Sequence, residues 1–117
     1  MLNWVEIDAD ALRNNIAEFR RRLSGGTKLG AVVKANAYGH GLPQVVSVAS
    51  EAGADWFCVN SIEEAIAVHE AGSGTPVLIM GYVPRHALEE VVLRDLRPVV
   101  YNIDTLDRLH VLAGKHR

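Results

Sequence analysis

The apolar positions of the chain form short continuous runs that alternate with longer stretches of helical spacing. In the first helical stretch they recur every three or four residues, at Leu12, Ile16, Phe19 and Leu23. This spacing predicts an amphipathic helix, which Asp8 or Asp10 can cap and which the glycines after Ser24 end. Before it, residues 5–8 have a strand-like pattern, so we expect a short strand there.

Four continuous apolar runs follow, each of a length typical of a buried strand. They cover residues 29–33, 56–59, 76–80 and 98–101. Helical patterns separate them, and their predicted starts are Pro43, the capping-box pair Ser61 and Glu64, Pro84, and Asp104. Because the runs are continuous rather than alternating, we expect both faces of the sheet to be covered.

The regular alternation of strand and helix predicts an α/β fold with parallel strands and right-handed crossovers. Two architectures satisfy this pattern: an open doubly wound sheet and part of a (β/α)₈ barrel. A complete barrel takes about 250 residues and eight strands. The chain has 117 residues and about four predicted strands, so it would form half of such a barrel.

Composition and charge exclude some classes of binding partner. The formal net charge is −2 and 49% of the residues are hydrophobic, which argues against a nucleic-acid-binding surface. No apolar stretch approaches the roughly 20 residues of a membrane span, and residues 1–4 lack the features of a signal peptide. The single cysteine, Cys58, cannot form an intramolecular disulfide. We therefore expect a cytoplasmic protein that binds neither nucleic acid nor membrane.

Lys34 is the residue that most strongly suggests chemistry. It follows the first apolar run directly, at the end of a strand where parallel α/β folds place their active sites. A lysine that acts as a Schiff-base nucleophile must lose its proton, and a partly desolvated position favours the neutral amine. On position alone, an ordinary strand-end lysine with its ammonium in water is equally consistent.

The loop after Lys34 is rich in glycine and can present backbone N–H groups to an anion. Tyr38 adds a hydroxyl that can donate a hydrogen bond. The loop lacks the Gly-Lys-Ser/Thr ending of a P-loop, and Gly39 and Gly41 lack the third glycine of the dinucleotide fingerprint. Residues alone therefore indicate an amine nucleophile beside an anion-binding loop. The scattered histidines lack metal-ligand spacing, and we expect no metal site.

Residues 31–41, AVVKANAYGHG, resemble the cofactor-lysine signature of alanine racemases. The opening at residues 4–8, the Glu63-Glu64-Ala65 sequence after the second strand and the strand at residues 76–81 also resemble that family. The resemblance implies an α/β fold consisting of a partial (β/α)₈ TIM-type barrel. Residues 1–117 would then be the N-terminal half of a pyridoxal-phosphate-binding barrel domain.

The same resemblance implies a function and roles for three residues. The parent enzyme would interconvert L-alanine and D-alanine and so supply D-alanine for the bacterial cell wall. Lys34 would bond to pyridoxal 5'-phosphate and act as one of two acid–base groups, Tyr38 would lie against the cofactor and its phosphate, and Met80 would lie near the cofactor ring. A non-catalytic pyridoxal-phosphate-binding protein or an inert barrel fragment is the alternative.

The family's second acid–base group, a tyrosine, comes from a C-terminal domain of the partner subunit, so the resemblance also implies a homodimer. Neither Tyr82 nor Tyr101 matches its position. We interpret the chain as truncated and expect it to be inactive by itself, since one acid–base group is absent. Exposed edges of a half barrel invite association, which suggests that two copies of the chain pair.

Overall fold

A computed structural model describes residues 2–116, so Met1 and Arg117, the ends of the predicted domain, lie outside the described residues. The helices are α1 (Ala9–Arg22), α2 (Lys34–Tyr38), α3 (Leu42–Glu51), α4 (Ile62–Glu70), α5 (Leu88–Leu93) and α6 (Ile103–Lys115). The strands are β1 (Gly30–Val32), β2 (Trp56–Val59), β3 (Val77–Ile79) and β4 (Arg97–Pro98), and a 3₁₀ turn, Arg85–Ala87, precedes α5. Within residues 2–116, every helix is too short or too polar to cross a bilayer.

Side-chain caps fix the starts of three helices. The Asp8 carboxylate accepts the N–H groups of Asp10 and Ala11 at the start of α1. Ser61 and Glu64 form the predicted capping box of α4. These bonds occupy N–H groups that lack a partner within the first turn of a helix. The start of α6 differs from the prediction: Asn102, not Asp104, is its cap and accepts the Thr105 N–H at 2.8 Å.

The sheet is parallel throughout, and its strands lie in chain order, β1-β2-β3-β4. A doubly wound sheet would place its first strand in the interior, with strand order reversing there. Here β1 lies at the edge, and right-handed crossovers between consecutive neighbours put the helices on one side. The fold is therefore a partial (β/α)₈ barrel, as predicted.

The two faces of the sheet differ in burial. Phe57, Val59 and Ile79 point toward the helices and are completely buried. On the opposite face, Val32 is 41% exposed and Cys58 is half-buried. Partial burial raises the pKa of the Cys58 thiol. The expectation that both faces would be covered is thus wrong for residues 2–116, because helices pack on one side only.

The predicted strand at residues 5–8 is also wrong: residues 2–8 have no regular structure. Their apolar side chains are exposed, and an extended segment without a neighbouring strand cannot form a ladder of backbone hydrogen bonds. The fourth strand is shorter than predicted, since it covers Arg97–Pro98 and residues 99–101 have no assigned structure. Pro98 has no N–H to donate to the ladder.

An ion-pair cluster closes the amino-terminal end of the sheet. The Asp55 carboxylate, just before β2, accepts the Leu29 N–H at 2.7 Å and contacts the Arg20 guanidinium at 2.6 Å and the Lys28 ammonium at 3.5 Å. The Leu29 hydrogen bond and the Arg20 contact lower the pKa of Asp55 to about 2. Arg20 also donates to the carbonyls of Thr27 and Gly53. It therefore connects α1 to the loop before β1 and to the loop before β2.

Candidate active site

Lys34 lies immediately after β1, at the carboxyl end of the sheet. The Val33 N–H donates to the Cys58 carbonyl at 2.9 Å, which extends the pairing of β1 with β2 by one residue. Val33 is buried and Lys34 is half-buried. Within residues 2–116 the Lys34 amine has neither a hydrogen bond nor an ion pair. The structure therefore places residue 34 at the strand end where the sequence predicted it, and the role of its amine stays a prediction.

The five residues Lys34–Tyr38 form a left-handed helical turn, which the sequence did not predict. Ala35, Asn36, Ala37 and Tyr38 have φ angles of 52° to 56°. The Ala37 N–H donates to the Val33 carbonyl at 2.9 Å, and the Gly39 N–H donates to the Ala35 carbonyl at 3.1 Å. Each residue with a Cβ costs roughly 1–2 kcal/mol in this conformation. Such strain persists only where the surroundings impose it.

Contacts within the loop impose part of this conformation. The Asn36 side-chain oxygen accepts the Leu42 N–H at 2.8 Å, at the start of α3. The His40 Nδ1 lies 2.8 Å from the Ala37 carbonyl oxygen, so this histidine contacts the turn itself. Gly39 and Gly41 have φ angles of 87° and 95°, which glycine adopts without steric cost.

Glu64 connects the turn to the neighbouring loop. Its Oε1 accepts the Ala35 N–H at 2.6 Å, and its Oε2 accepts the N–H groups of Asn60 at 2.8 Å and Ser61 at 3.2 Å. Partial burial raises the pKa of this carboxyl, but the three N–H donors and the positive charge of Lys34 outweigh burial, and the net pKa is lowered. Glu64 is therefore an anion near the Lys34 amine.

The loops after β2 and β3 approach each other closely beside Glu64. A Cβ added at Gly81 would overlap the carbonyl oxygen of Asn60, so this position requires glycine. The Met80 N–H donates to the Val59 carbonyl at 2.8 Å. Extending the register of β1 with β2 by two residues, and that of β2 with β3 by one, places Lys34, Asn60 and Met80 at the same level of the three neighbouring strands. The backbones of Lys34 and Met80 are then about 10 Å apart.

Tyr38 lies at the end of the turn and is 59% exposed. It lines a cavity of about 420 Å³ between the N-terminal segment, α1 and the turn, together with Asp8, Leu12, Val32 and His40. Lys34 and Met80 are not among the lining residues. The structure thus puts Lys34 and Met80 on the carboxyl edge of the sheet, whereas Tyr38 faces the neighbouring cavity. Within residues 2–116, no three metal-ligating side chains form a cluster.

Glu64 is the site residue that the sequence did not identify as one. Its place in the capping box was predicted, but its bond to Ala35 joins residues 29 positions apart. The available signal was its position: a carboxylate five residues after the carboxyl end of β2 lies at the same edge as the residues after β1.

Comparisons with known proteins agree with this architecture. The sequence model of the family described as "Alanine racemase, N-terminal domain" matches residues 7–117. Alanine racemase 1 of Oceanobacillus iheyensis is 41% identical over 106 residues, which make up 91% of this chain and 28% of that protein.

Solved structures give the same result. Alanine racemase from E. faecalis matches with a TM-score of 0.84 and 38% identity, covering 89% of this chain and 28% of that one. The alanine racemase of Bacillus anthracis with bound L-Ala-P matches with a TM-score of 0.85 and 33% identity, covering 93% of this chain and 28% of that one. The chain spans less than a third of the length of each of these relatives.

Proposed function

This chain belongs to the alanine racemase N-terminal domain family, and we propose that it forms the first part of the pyridoxal-phosphate-binding barrel of an enzyme that interconverts L-alanine and D-alanine. The observation that carries the proposal is the position of Lys34. Its amine follows β1 directly at the carboxyl end of a parallel sheet, without an ion pair inside residues 2–116. The relatives named above are alanine racemases, one of them with bound L-Ala-P, which supports alanine as the substrate.

The residues present fit the chemistry of pyridoxal phosphate. The cofactor is an aldehyde that carries a phosphate, so it needs an amine and hydrogen-bond donors. Lys34, which is half-buried, offers an amine. Tyr38, which follows four residues later and is exposed, offers a hydroxyl. Met80 offers an apolar side chain on the next strand but one. These are the three residues that we propose for cofactor binding.

Each of these three residues would have a distinct part in the reaction. When bound, pyridoxal phosphate supplies an electron sink that stabilises negative charge at the substrate's α-carbon. Lys34 Nζ would hold the cofactor in the absence of substrate, and as a free amine it would exchange a proton with the α-carbon on one face of the substrate. Tyr38 donates a hydrogen bond from its hydroxyl, and Met80 excludes water from its side of the site. Racemisation requires a second acid–base group on the opposite face.

The wider context is part of the same proposal. The second acid–base group is a tyrosine of the partner subunit in a homodimer, and the reaction takes place in the cytoplasm, where D-alanine is made for the cell wall. The acid–base chemistry of one face is thus assigned to Lys34, and that of the other face to a tyrosine in the C-terminal domain of the partner subunit.

Replacing Lys34 tests the proposal directly. The chain has three lysines, and Lys28 lies at the opposite end of β1 from Lys34. With pyridoxal phosphate added to the purified protein, we expect the visible absorbance band of lysine-bound cofactor in the unsubstituted protein and in Lys28→Ala. Lys34→Ala should lose the band completely, since the bonding amine is gone.

Borohydride reduction followed by peptide mass spectrometry identifies the bonded lysine independently. A reduced cofactor on Lys28 or Lys115 would refute the assignment of Lys34. We expect the purified chain by itself to show the band without converting L-alanine to D-alanine, since it has only one of the two acid–base groups. Conversion measured by chiral chromatography would contradict that expectation and would exclude a non-catalytic carrier.

A further inference from the structure

Glu64 makes one contact that its helix does not need. The capping box of α4 uses Oε2, which accepts the Ser61 N–H at 3.2 Å, and the Ser61 hydroxyl, which accepts the Glu64 N–H at 3.3 Å. The other oxygen, Oε1, takes no part in the capping box and accepts the Ala35 N–H at 2.6 Å. This short bond to a charged acceptor is the strong kind of hydrogen bond.

The Ala35 N–H is a group that the left-handed turn cannot satisfy internally. It lies at the start of the turn, where the first N–H groups of a helix have no partner within it. The first bond inside the turn is made two residues later, by the Ala37 N–H. Ala35 is also the first of the four residues with positive φ, so its N–H marks the point where the extended chain of β1 becomes left-handed.

Glu64 reaches this N–H without binding the amine of the adjacent residue. The positive charge of Lys34 lowers the pKa of Glu64, yet no ion pair joins Glu64 to Lys34 within residues 2–116. An ion pair would hold the amine on the carboxylate, away from other partners. The observed contact fixes the backbone that carries Lys34 and leaves the amine available.

We propose that Glu64 is a positioning residue for Lys34: its carboxylate fixes the backbone at Ala35 and thereby aims the amine at the carboxyl edge of the sheet. This inference rests on the proposed function, because the cofactor is what the amine would reach. Glu64 touches neither substrate nor cofactor, and it acts through Lys34.

Three variants of the purified protein separate this role from capping. Glu64→Gln keeps the size of the side chain, but its amide cannot accept from Ala35 on one side and from Asn60 and Ser61 on the other. Glu64→Asp keeps the charge and is one methylene shorter. Ser61→Ala removes the hydroxyl of the capping box and leaves the Glu64 carboxylate and its bond to Ala35 in place.

The first measurement is hydrogen exchange of the Ala35 amide by NMR, which needs no cofactor. Loss of a hydrogen bond to a charged group should make this exchange at least about tenfold faster in both Glu64 variants, with unchanged exchange in Ser61→Ala. The second is titration of pyridoxal phosphate by its visible band. The apparent affinity should fall about tenfold in both Glu64 variants, which corresponds to about 1.4 kcal/mol, and less than twofold in Ser61→Ala.

The outcomes distinguish the two proposals. Unchanged Ala35 exchange in Glu64→Gln, or equal loss of cofactor affinity in Glu64→Gln and Ser61→Ala, would overturn the positioning role. Full affinity in Glu64→Asp with faster Ala35 exchange would overturn it as well, since the charge alone would then suffice. Absence of the band from the unsubstituted protein would instead refute the proposed function, and Ala35 exchange would still decide whether Glu64 holds the turn.

Discussion

Strand β1 is held by a carboxylate at each end, and the two ends differ in what surrounds that carboxylate. At the amino-terminal end, Asp55 accepts the Leu29 N–H at 2.7 Å; at the carboxyl end, Glu64 accepts the Ala35 N–H at 2.6 Å. Asp55 comes just before β2 and Glu64 shortly after it. The same arrangement, a carboxylate from a segment flanking β2 that accepts a backbone N–H beside β1, thus occurs twice.

The difference lies in the nearby cations. Asp55 is in direct contact with Arg20 and Lys28, so its charge is neutralised within the amino-terminal end. Glu64 has Lys34 nearby but forms no ion pair with it in the described part of the chain. In parallel α/β barrels the amino-terminal face serves stability and the carboxyl-terminal face carries chemistry. The two carboxylates follow this division: one is paired with its cations, and the other leaves its cation available.

The largest effect on stability is expected where the carboxyl-end loops meet. Gly81→Ala places a methyl group on the Asn60 carbonyl oxygen, and relieving such an overlap costs typically 1–3 kcal/mol or more. We expect this loss in urea unfolding, together with weaker cofactor binding. Gly114→Ala is the matched control: it lies in α6 with open space around its Cβ position, and should stabilise by up to about 1 kcal/mol. Equal behaviour of the two variants would show that the loops are not tightly fitted.

A smaller, pH-dependent effect is expected at the amino-terminal end. The pKa of Asp55 is about 2 in the folded protein, against an ordinary value of 3.8. The ionised form is therefore favoured by folding, and its stabilisation is complete above about pH 4 and is lost as the pH falls toward 2. Asp55→Asn should lower the melting temperature at pH 7, by less than Gly81→Ala does, and the difference from the unsubstituted protein should shrink between pH 4 and 2.

Circular dichroism melts from pH 2 to 7 measure this difference. Asp10→Asn is the control, because the Asp10–Arg13 ion pair is on the surface and exposed pairs contribute little. A difference between Asp55→Asn and the unsubstituted protein that stayed constant down to pH 2 would contradict the assignment of the low pKa to Asp55.

The smallest effect is expected in the turn itself. Ala35→Gly removes the roughly 1–2 kcal/mol cost of a Cβ at positive φ and adds about 0.4–1 kcal/mol of unfolded-chain entropy, so the free energy of unfolding should rise by up to about 1.5 kcal/mol. Ala67→Gly, in the right-handed helix α4, should lower it by roughly 0.5–1 kcal/mol. Urea unfolding of the two variants should give changes of opposite sign, and a loss in both would contradict strain at Ala35.

Most of the fold follows from local patterns in the sequence. The strands at residues 29–33, 56–59 and 76–80 were predicted because each is an apolar run between turn residues, and the capping box at Ser61 was predicted from its spacing. The prediction of a strand at residues 5–8 was wrong, because a strand-like pattern does not show whether a neighbouring strand is present to pair with it. The choice between a doubly wound sheet and a barrel required strand order, which is a property of the assembled sheet.

The site was predictable only in part. Lys34 was placed correctly because it directly follows a strong strand signal. The left-handed turn was not, since among its four residues with positive φ only Asn36 is of a type that favours this conformation. The hydrogen bond between Glu64 and Ala35 depends on how two βα units pack side by side, and the spacing of residues along the chain does not predict it. The roles of Lys34, Tyr38 and Met80 toward the cofactor stay predictions.

The chain order of the strands also has a consequence for how the protein folds during its synthesis. Paired residues are only 26, 20 and 19 positions apart, as in Val32 with Cys58, Cys58 with Leu78, and Leu78 with Arg97. Among these four strands, each can therefore find its neighbour as soon as the next βα unit has left the ribosome. Domains generally fold from the amino terminus during synthesis, and this chain can do so one unit at a time.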